Sequence, residues 1–338
     1  MRNVFEKIQE LEDIPSYSKH EQLVLGIINA LDEKLVKKGD MLPSVNNMIK
    51  ELGFARETIV RGYKELIARG IIESKNRLGY FITNNDTGQT LKIALLMYAF
   101  DAFQETFYKT FLSELGPNVH LDTYFHHNNI DIFETIVSDI RGKYGMYVIA
   151  PIPHPKTSGI LQTLPMNKFL MIDRFEPMEG DFSHITQEFG QSTYKALTQL
   201  SGAIKKFGEI IYFHHPGSAE PIEILTAFKK FIRDHKLKGS IKTEYVAGSI
   251  EKGKVYYTIH NTELWMMLKD CRAKNLKPGK EVGILSHNDD VVKEIISDGI
   301  TTYSTDFKLM AEKAASFVLT RKKIKETIPT VLIKRNSL

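Results

Sequence analysis

Across residues 17–37 apolar side chains recur every fourth position, at Leu23, Ile27, Leu31 and Leu35, with Val24 and Ile28 beside them. That spacing predicts a helix with one buried stripe. Gly39-Asp40 interrupts it, and Ser44, a favoured N-cap residue, opens a second short helix whose inward positions are Val45, Met48, Ile49 and Leu52. Gly53 supplies the left-handed stop. A third helix is expected from about 56 to 69, with Ile59, Tyr63, Leu66 and Ile67 inward and Gly70 closing it. Two strand-like segments, 71–74 and 80–82, flank a polar tip at 75–79 and predict a β-hairpin.

A polar, turn-rich stretch follows, and beyond it the pattern changes to alternation. Apolar strand-like runs fall at 91–98, 119–125, 146–151, 168–173, 209–213, 241–246, 255–259 and 281–286, with helix-like segments at 103–115, 130–142, 188–206, 221–236, 262–274 and 289–297. Near-continuous apolar strands between helices indicate parallel sheets covered on both faces. Eight or more strands in about 250 residues predict two Rossmann-like lobes rather than one small sheet. The expected organisation is a three-helix domain with a hairpin at 1–84, a linker at 85–90 and a two-lobed α/β domain at 91–338.

Composition narrows the setting. The 338 residues are 42% hydrophobic and 25% charged, values of an ordinary globular chain. A single cysteine, Cys271, precludes an intramolecular disulfide and suits a reducing compartment. The first residues lack the apolar run of a signal peptide, and the longest apolar stretch, 91–100, is too short for a bilayer. A cytoplasmic protein with no membrane partner is expected. Net charge is +4, but residues 1–90 hold 13 basic and 13 acidic side chains. Bulk charge therefore argues nothing about nucleic acid, and the case rests on where the charges sit.

The outward residues of the third predicted helix are Arg56, Glu57, Thr58, Arg61 and Lys64. Arg56, Thr58 and Arg61 lie in the half that a recognition helix points into the major groove, where arginine can reach guanine and a hydroxyl can reach phosphate or base. Lys75 and Arg77 at the hairpin tip suit the backbone or minor groove. A solvated charged face would read the same way from the stripe alone; helix order and wing decide against it. The series Lys19…Gln22…Gly39-Asp40-Met41-Leu42-Pro43-Ser44…Leu52-Gly53…Arg56-Glu57-Thr58…Leu66…Gly70-Ile71-Ile72…Gly79-Tyr80-Phe81 resembles the GntR-family winged helix-turn-helix. The resemblance implies operator binding as a dimer, with contacts from Ser44, Arg56, Thr58, Arg61 and Gly79. Two departures stand out. Ala55 replaces a small hydroxyl residue, so the helix cap must come from elsewhere, and Val45-Asn46-Asn47 replaces a segment that usually carries Glu or Arg.

In open α/β sheets ligands bind at the carboxyl ends of strands. Those ends hold Tyr98, Phe100, Asp101 and Phe103, then His126-His127, His154, Asp173-Arg174, His214-His215, Asn261, and His287, Asn288 and Asp289. Rings with directional polar groups suit a small polyhydroxylated ligand. From these, Tyr98, Phe100, Asp101, Phe103, His154, Arg174, His214, Asn261, His287, Asn288 and Asp289 are the expected ligand contacts. Polar strand-to-helix loops also occur without any ligand; Asp173-Arg174 reads equally as an ion pair and Asn288-Asp289 as a helix cap. The first strand, the segment 169–174, the segment 283–289 and the ending from Thr301 through Ala311-Glu312-Lys313-Ala314-Ala315 to Ile328-Pro329 and 332–337 resemble the LacI-type, periplasmic-binding-protein-like effector domain. That resemblance implies a monosaccharide effector between two lobes, a homodimer and a role in carbohydrate metabolism. The segment 217–223 lacks the arginine that often holds a ligand, which favours a neutral sugar over a sugar phosphate, while Arg174 keeps an acidic ligand in play.

No GxSxG, GxxxxGK[ST], GxGxxG or CxxC motif occurs. Adjacent histidines on an extended chain point to opposite sides, so neither His126-His127 nor His214-His215 is expected to chelate a metal. The expectation is no enzyme, no cofactor and no metal. It is instead an effector-controlled transcriptional regulator; the alternative is a DNA-binding protein whose C-terminal half serves only dimerisation or protein interaction.

Overall fold

The computed structural model describes residues 2–12, 17–84, 91–116, 119–218 and 220–338; the expected linker at 85–90 lies outside them. The chain divides into two compact units, one holding Met1–Ile93 with the short segments Pro117–His120 and Ile140–Met146, the other holding the remainder.

The first unit opens with α1 (Arg2–Gln9) and α2 (Lys19–Asp32), followed by α3 (Val45–Leu52) and α4 (Arg56–Ala68). Strands β1 (Ile72–Lys75) and β2 (Gly79–Ile82) then pair antiparallel as a hairpin. Ser18 and Glu21 form a reciprocal capping box at the start of α2. Leu23, Ile27, Leu31, Met48, Ile59, Tyr63 and Leu66 share one buried core with Ile72 and Ile82 of the hairpin. Two glycines permit the close packing: a Cβ on Gly26 would lie 2.5 Å from Ile8, and one on Gly62 would lie 2.6 Å from Leu23. Leu35 and Ile67, expected in the buried stripe, are 38% and 39% exposed. Leu35 falls beyond the end of α2, and the inward face of α4 is already filled by Ile59, Gly62, Tyr63 and Leu66.

The remainder runs β3 (Leu91–Met97), α5 (Ala102–Leu115), β4 (Val119–Phe125), α6 (Ile130–Ile140), β5 (Met146–Ile149), α7 (Thr157–Leu161), β6 (Phe169–Asp173), β7 (Ser183–Gln187) and α8 (Gly190–Ile204). It continues through β8 (Glu209–Phe213), α9 (Ile222–His235), β9 (Gly239–Lys242), β10 (Lys254–Thr258), α10 (Asn261–Ala273), β11 (Gly283–His287) and α11 (Val291–Ile295). It ends with β12 (Thr301–Thr305), α12 (Phe307–Thr320), β13 (Lys325–Ile328) and β14 (Thr330–Ile333). Two six-stranded sheets result, in the orders β13-β7-β6-β5-β3-β4 and β14-β12-β11-β10-β8-β9. The pairs β5–β6, β6–β7, β7–β13, β8–β9, β8–β10, β10–β11 and β11–β12 are parallel, and β12–β14 is antiparallel.

The chain passes from one sheet to the other three times, after β7, after β12 and after β13. The three passages are tied together. Thr305 Oγ1 donates to Gln187 Oε1 at 2.7 Å, and the hydroxyls of Thr305 and Thr330 lie 3.4 Å apart. After the second passage, α12 packs on α5 and against β6 and β7. Elements unforeseen in the sequence are α1, α7, β7, β12, α12, β13 and β14, and β9 begins two residues before the expected run.

Candidate functional site

In the first unit Ser44 is the N-cap of α3, and its hydroxyl accepts the Asn47 N–H at 3.2 Å. Arg56 is the first residue of α4; its guanidinium donates to Asn46 Oδ1 at 3.2 Å. Ala55 leaves that helix start without a side-chain cap. Arg61 departs from a simple outward reading, because its Nε donates to His20 Nδ1 at 3.2 Å, and His20 Nε2 in turn meets Glu65 at 2.5 Å. Thr58 is half-buried on the first turn of α4. At the hairpin, Lys75 lies over the Phe81 ring at 4.9 Å and pairs with Glu73, while Arg77 and Gly79 take positive φ of 61° and 114° to make the tip.

A cleft of about 520 Å³ opens at the carboxyl ends of the strands of both six-stranded sheets. This lies within the roughly 300–1,000 Å³ range of small-molecule sites. Of the expected ligand contacts, Tyr98, Asp101, Phe103, Arg174, Asn261, His287, Asn288 and Asp289 line it. Three do not. Phe100 is half exposed and packs its ring against Tyr108 and Phe125. His154 accepts the Lys156 N–H in a local turn. His214 stands behind Glu220, with Nδ1 2.9 Å from Oε2. The lining also includes His126, Asp173, Gln187, Phe189, Glu220, His260 and Lys293.

The polar groups of the cleft differ in how much of their bonding capacity is spent. Asp289 is held by Arg335 through both oxygens, and Thr302 donates to it at 2.7 Å. The cap of α11 is Asp290 rather than Asn288 or Asp289. Lys293 is buried beneath the same loop and donates to the carbonyls of His287 and Asn288 at 2.9 and 2.8 Å; burial pulls its pKa down to about 8. Burial likewise holds His287 near pKa 3, helped by the Lys293 charge. Burial raises the Asp173 carboxyl pKa, against the Gln187 hydrogen bond and the charge of Arg174. Arg174 lies 5.6 Å over the Phe189 ring. By contrast, the side-chain oxygens of Asn261 and Asn288 are buried with no hydrogen-bond partner among the described residues. An unpaired buried acceptor costs roughly 1–3 kcal/mol, so each oxygen is poised to take a donor from a ligand. His126 is buried with both nitrogens satisfied: Nδ1 accepts the Asn128 N–H at 3.1 Å and Nε2 faces the Ala150 carbonyl at 3.2 Å. That assigns the proton to Nε2.

Glu220 organises the far wall. Its side chain is 2% exposed, yet it meets three imidazoles: His214 at 2.9 Å, His215 at 3.0 Å and His260 at 2.6 Å. The contact raises the His260 pKa; burial alone would raise that of Glu220, but the imidazoles bring it below the usual range. His260 comes from the end of a different strand, so the adjacency of His214 and His215 does not reveal it.

Comparison with known proteins places this geometry. No family model matches the chain. An HTH-type transcriptional regulator of Mycobacterium tuberculosis is 33% identical over 66 residues, 20% of this chain and 54% of that protein. The match thus spans about half the length of the curated relative. Among solved structures, the trehalose repressor of Escherichia coli matches with a TM-score of 0.61 at 12% identity, covering 72% of this chain and all of that one. A LacI family regulator of Lactobacillus casei with bound sucrose matches at 0.62 and 14%, covering 74% of this chain and 100% of that one. The lac repressor dimer bound to operator and an anti-inducer matches at 0.58 and 13%, covering 74% and 94%. The chain therefore has the two-sheet, parallel-rich fold of LacI-type transcriptional regulators and is similar, over a short stretch, to an HTH-type regulator.

Proposed function

We propose that this chain is a sequence-specific DNA-binding transcriptional regulator whose activity is set by a small effector, a neutral monosaccharide that regulates genes of sugar use. In this reading residues 1–84 form a GntR-type winged helix-turn-helix, with α4 as recognition helix and the hairpin as wing, and residues 91–338 bind the effector and form the homodimer. Ser44, Arg56, Thr58, Arg61, Lys75, Arg77 and Gly79 contact operator DNA. Tyr98, Asp101, Phe103, Arg174, Asn261, His287, Asn288 and Asp289 face the effector.

The observation that carries the reading is the open cleft lined by two unspent amide acceptors, Asn261 and Asn288, together with the rings of Tyr98 and Phe103. Hydroxyl donors of a sugar answer such acceptors, and ring faces cover its C–H surface. Neutrality is supported by the charges, since Asp289 is matched by Arg335 and Asp290 lies beside Lys293. A second role as mere dimerisation module would sit better with a filled cleft. Exposed Val291, Val292 and Ile295 on α11 offer apolar surface for a second copy. Among the described residues no helix is long and apolar enough to cross a membrane.

Ligand can shift lobe closure, and through it the spacing of two recognition helices, only by its differential affinity for the two forms. The experiment is operator binding titrated at fixed salt with a monosaccharide panel, after a thermal-shift screen for binders. A sugar that raises the melting temperature and changes operator affinity supports the reading. A panel with no effect on either overturns the sensing half of it.

A further inference from the structure

We propose that His215, Glu220 and His260 form a binding site for a late first-row divalent metal ion, zinc foremost, on the wall of the effector cleft. Glu220 Oε1 lies 3.0 Å from His215 Nδ1 and 2.6 Å from His260 Nε2, and the three ligand atoms all fall within 4.8 Å of one another. A tetrahedral ion with bonds of about 2.0–2.1 Å spaces its ligand atoms about 3.4 Å apart, so small side-chain rotations admit it. Two imidazoles and one carboxylate are a donor set that zinc favours, with further positions left for water or ligand.

Three observations separate this cluster from an ordinary hydrogen-bonded group. His260 Nε2, though 2.6 Å from the carboxylate, makes no aligned hydrogen bond with it. The carboxylate is also divided in its duties. Oε2 is occupied by His214 Nδ1 and the His215 N–H, which leaves Oε1 to the two remaining imidazoles. Finally, His215 has the outer support that metal-bound histidines carry. Its Nε2 lies 3.3 Å from Glu263 Oε1, and buried Glu263 is itself fixed by the Tyr245 N–H at 2.8 Å and the Thr258 hydroxyl at 2.7 Å. A proton on Nε2 shared with Glu263 leaves the Nδ1 lone pair directed at Glu220. A hydrogen-bonded cluster would instead need protons on both nitrogens of His215, since each faces a carboxylate.

The test uses the full-length, tag-free chain, stripped with chelator and without DNA or sugar, so its failure is distinct from failure of the effector reading. Zinc titration by calorimetry, with metal content after dialysis, is expected to give one ion per chain. Cobalt(II) is expected to show the visible absorption of a four- or five-coordinate site. His260→Ala and Glu220→Gln are expected to weaken zinc at least 100-fold, Glu263→Gln 10–100-fold, and His235→Ala on α9 not at all. Wild-type chain that binds no zinc, or cobalt with only the pale octahedral spectrum, overturns the site. Equal affinity in wild type and His260→Ala does so as well, and the cobalt spectrum decides if a variant fails to fold.

Discussion

Arg335 and Asp289 meet as a fork on a fork, Nη1 to Oδ1 at 2.6 Å and Nη2 to Oδ2 at 2.8 Å, and this pair joins the chain's last residues to the cleft loop. Arg335 Nη1 also donates to the Ile300 carbonyl at 3.0 Å. The Arg335 side chain is only 14% exposed, so its loss leaves a largely buried carboxylate without its counter-charge. Arg335→Ala is expected to cost about 2–3 kcal/mol by urea denaturation. In a double-mutant cycle with Asp289→Ala the two costs should fall well short of additive. Additive costs would mean that the fork contributes nothing.

The amide acceptors of the cleft give a prediction with the opposite stability signature. Asn288 sits at φ 57°, so glycine is the substitution that keeps its backbone unstrained; Asn261 begins α10 and tolerates alanine. Asn288→Gly and Asn261→Ala are each expected to weaken effector binding about 10–100-fold, as loss of one or two hydrogen bonds does. The melting temperature without effector should move little, because neither oxygen has a partner to lose. Unchanged effector affinity in both variants would remove these residues from the site.

On DNA, Arg56→Ala and Lys75→Ala should part company. The first is expected to cost about 1–3 kcal/mol on the operator and relax base preference, the second to weaken all sequences alike and lower the salt slope by about one. Arg61 differs from both through its bond to His20. Competition binding with operator and random duplexes at several salt concentrations reads all three. Equal losses on specific and random DNA for Arg56→Ala would displace α4 as the reader.

Acid should loosen the fold through His126. Burial, seconded by the His127 charge, lowers its pKa from 6.5 to about 4. Between those values the unfolded chain binds the extra proton, so this stabilisation is complete above pH 6.5 and disappears as pH falls toward 4. The full shift corresponds to about 3 kcal/mol. Protonating Nδ1 would also displace the Asn128 N–H. Denaturation of wild type and His126→Gln across pH 4–7 should show a shallower acid slope in the variant.

Helices α2, α3 and α4 of the first unit and most strands of the two sheets were legible because their apolar periodicity is strong. β12 shows why others were not. Its sequence, Thr301-Thr302-Tyr303-Ser304-Thr305, is polar, yet every residue is buried. The hydroxyls are satisfied internally, Thr302 on Asp289, Thr305 on Gln187 and Thr301 on the Arg335 carbonyl, and such partners lie far off in sequence. β9 was misplaced because it is an exposed edge with little apolar content. Of the eleven contacts expected from strand ends, eight line the cleft. His260 occupies the same kind of position as the residues chosen, one step before Asn261. The grouping of His215, Glu220 and His260 depends on two loops converging, β8–α9 and β10–α10, which spacing along one chain does not encode.

The final two strands lie on outer edges of different sheets, β13 beside β7 and β14 beside β12. A nascent chain therefore cannot complete either sheet until residues 325–333 have left the ribosome, although most of each sheet was made long before. Until then the neighbouring strands β7 and β12 stand with open hydrogen-bonding edges, ready templates for association with other chains. A translation stop near residue 320 would thus leave two sticky edges, and such a fragment belongs to chaperones and proteases.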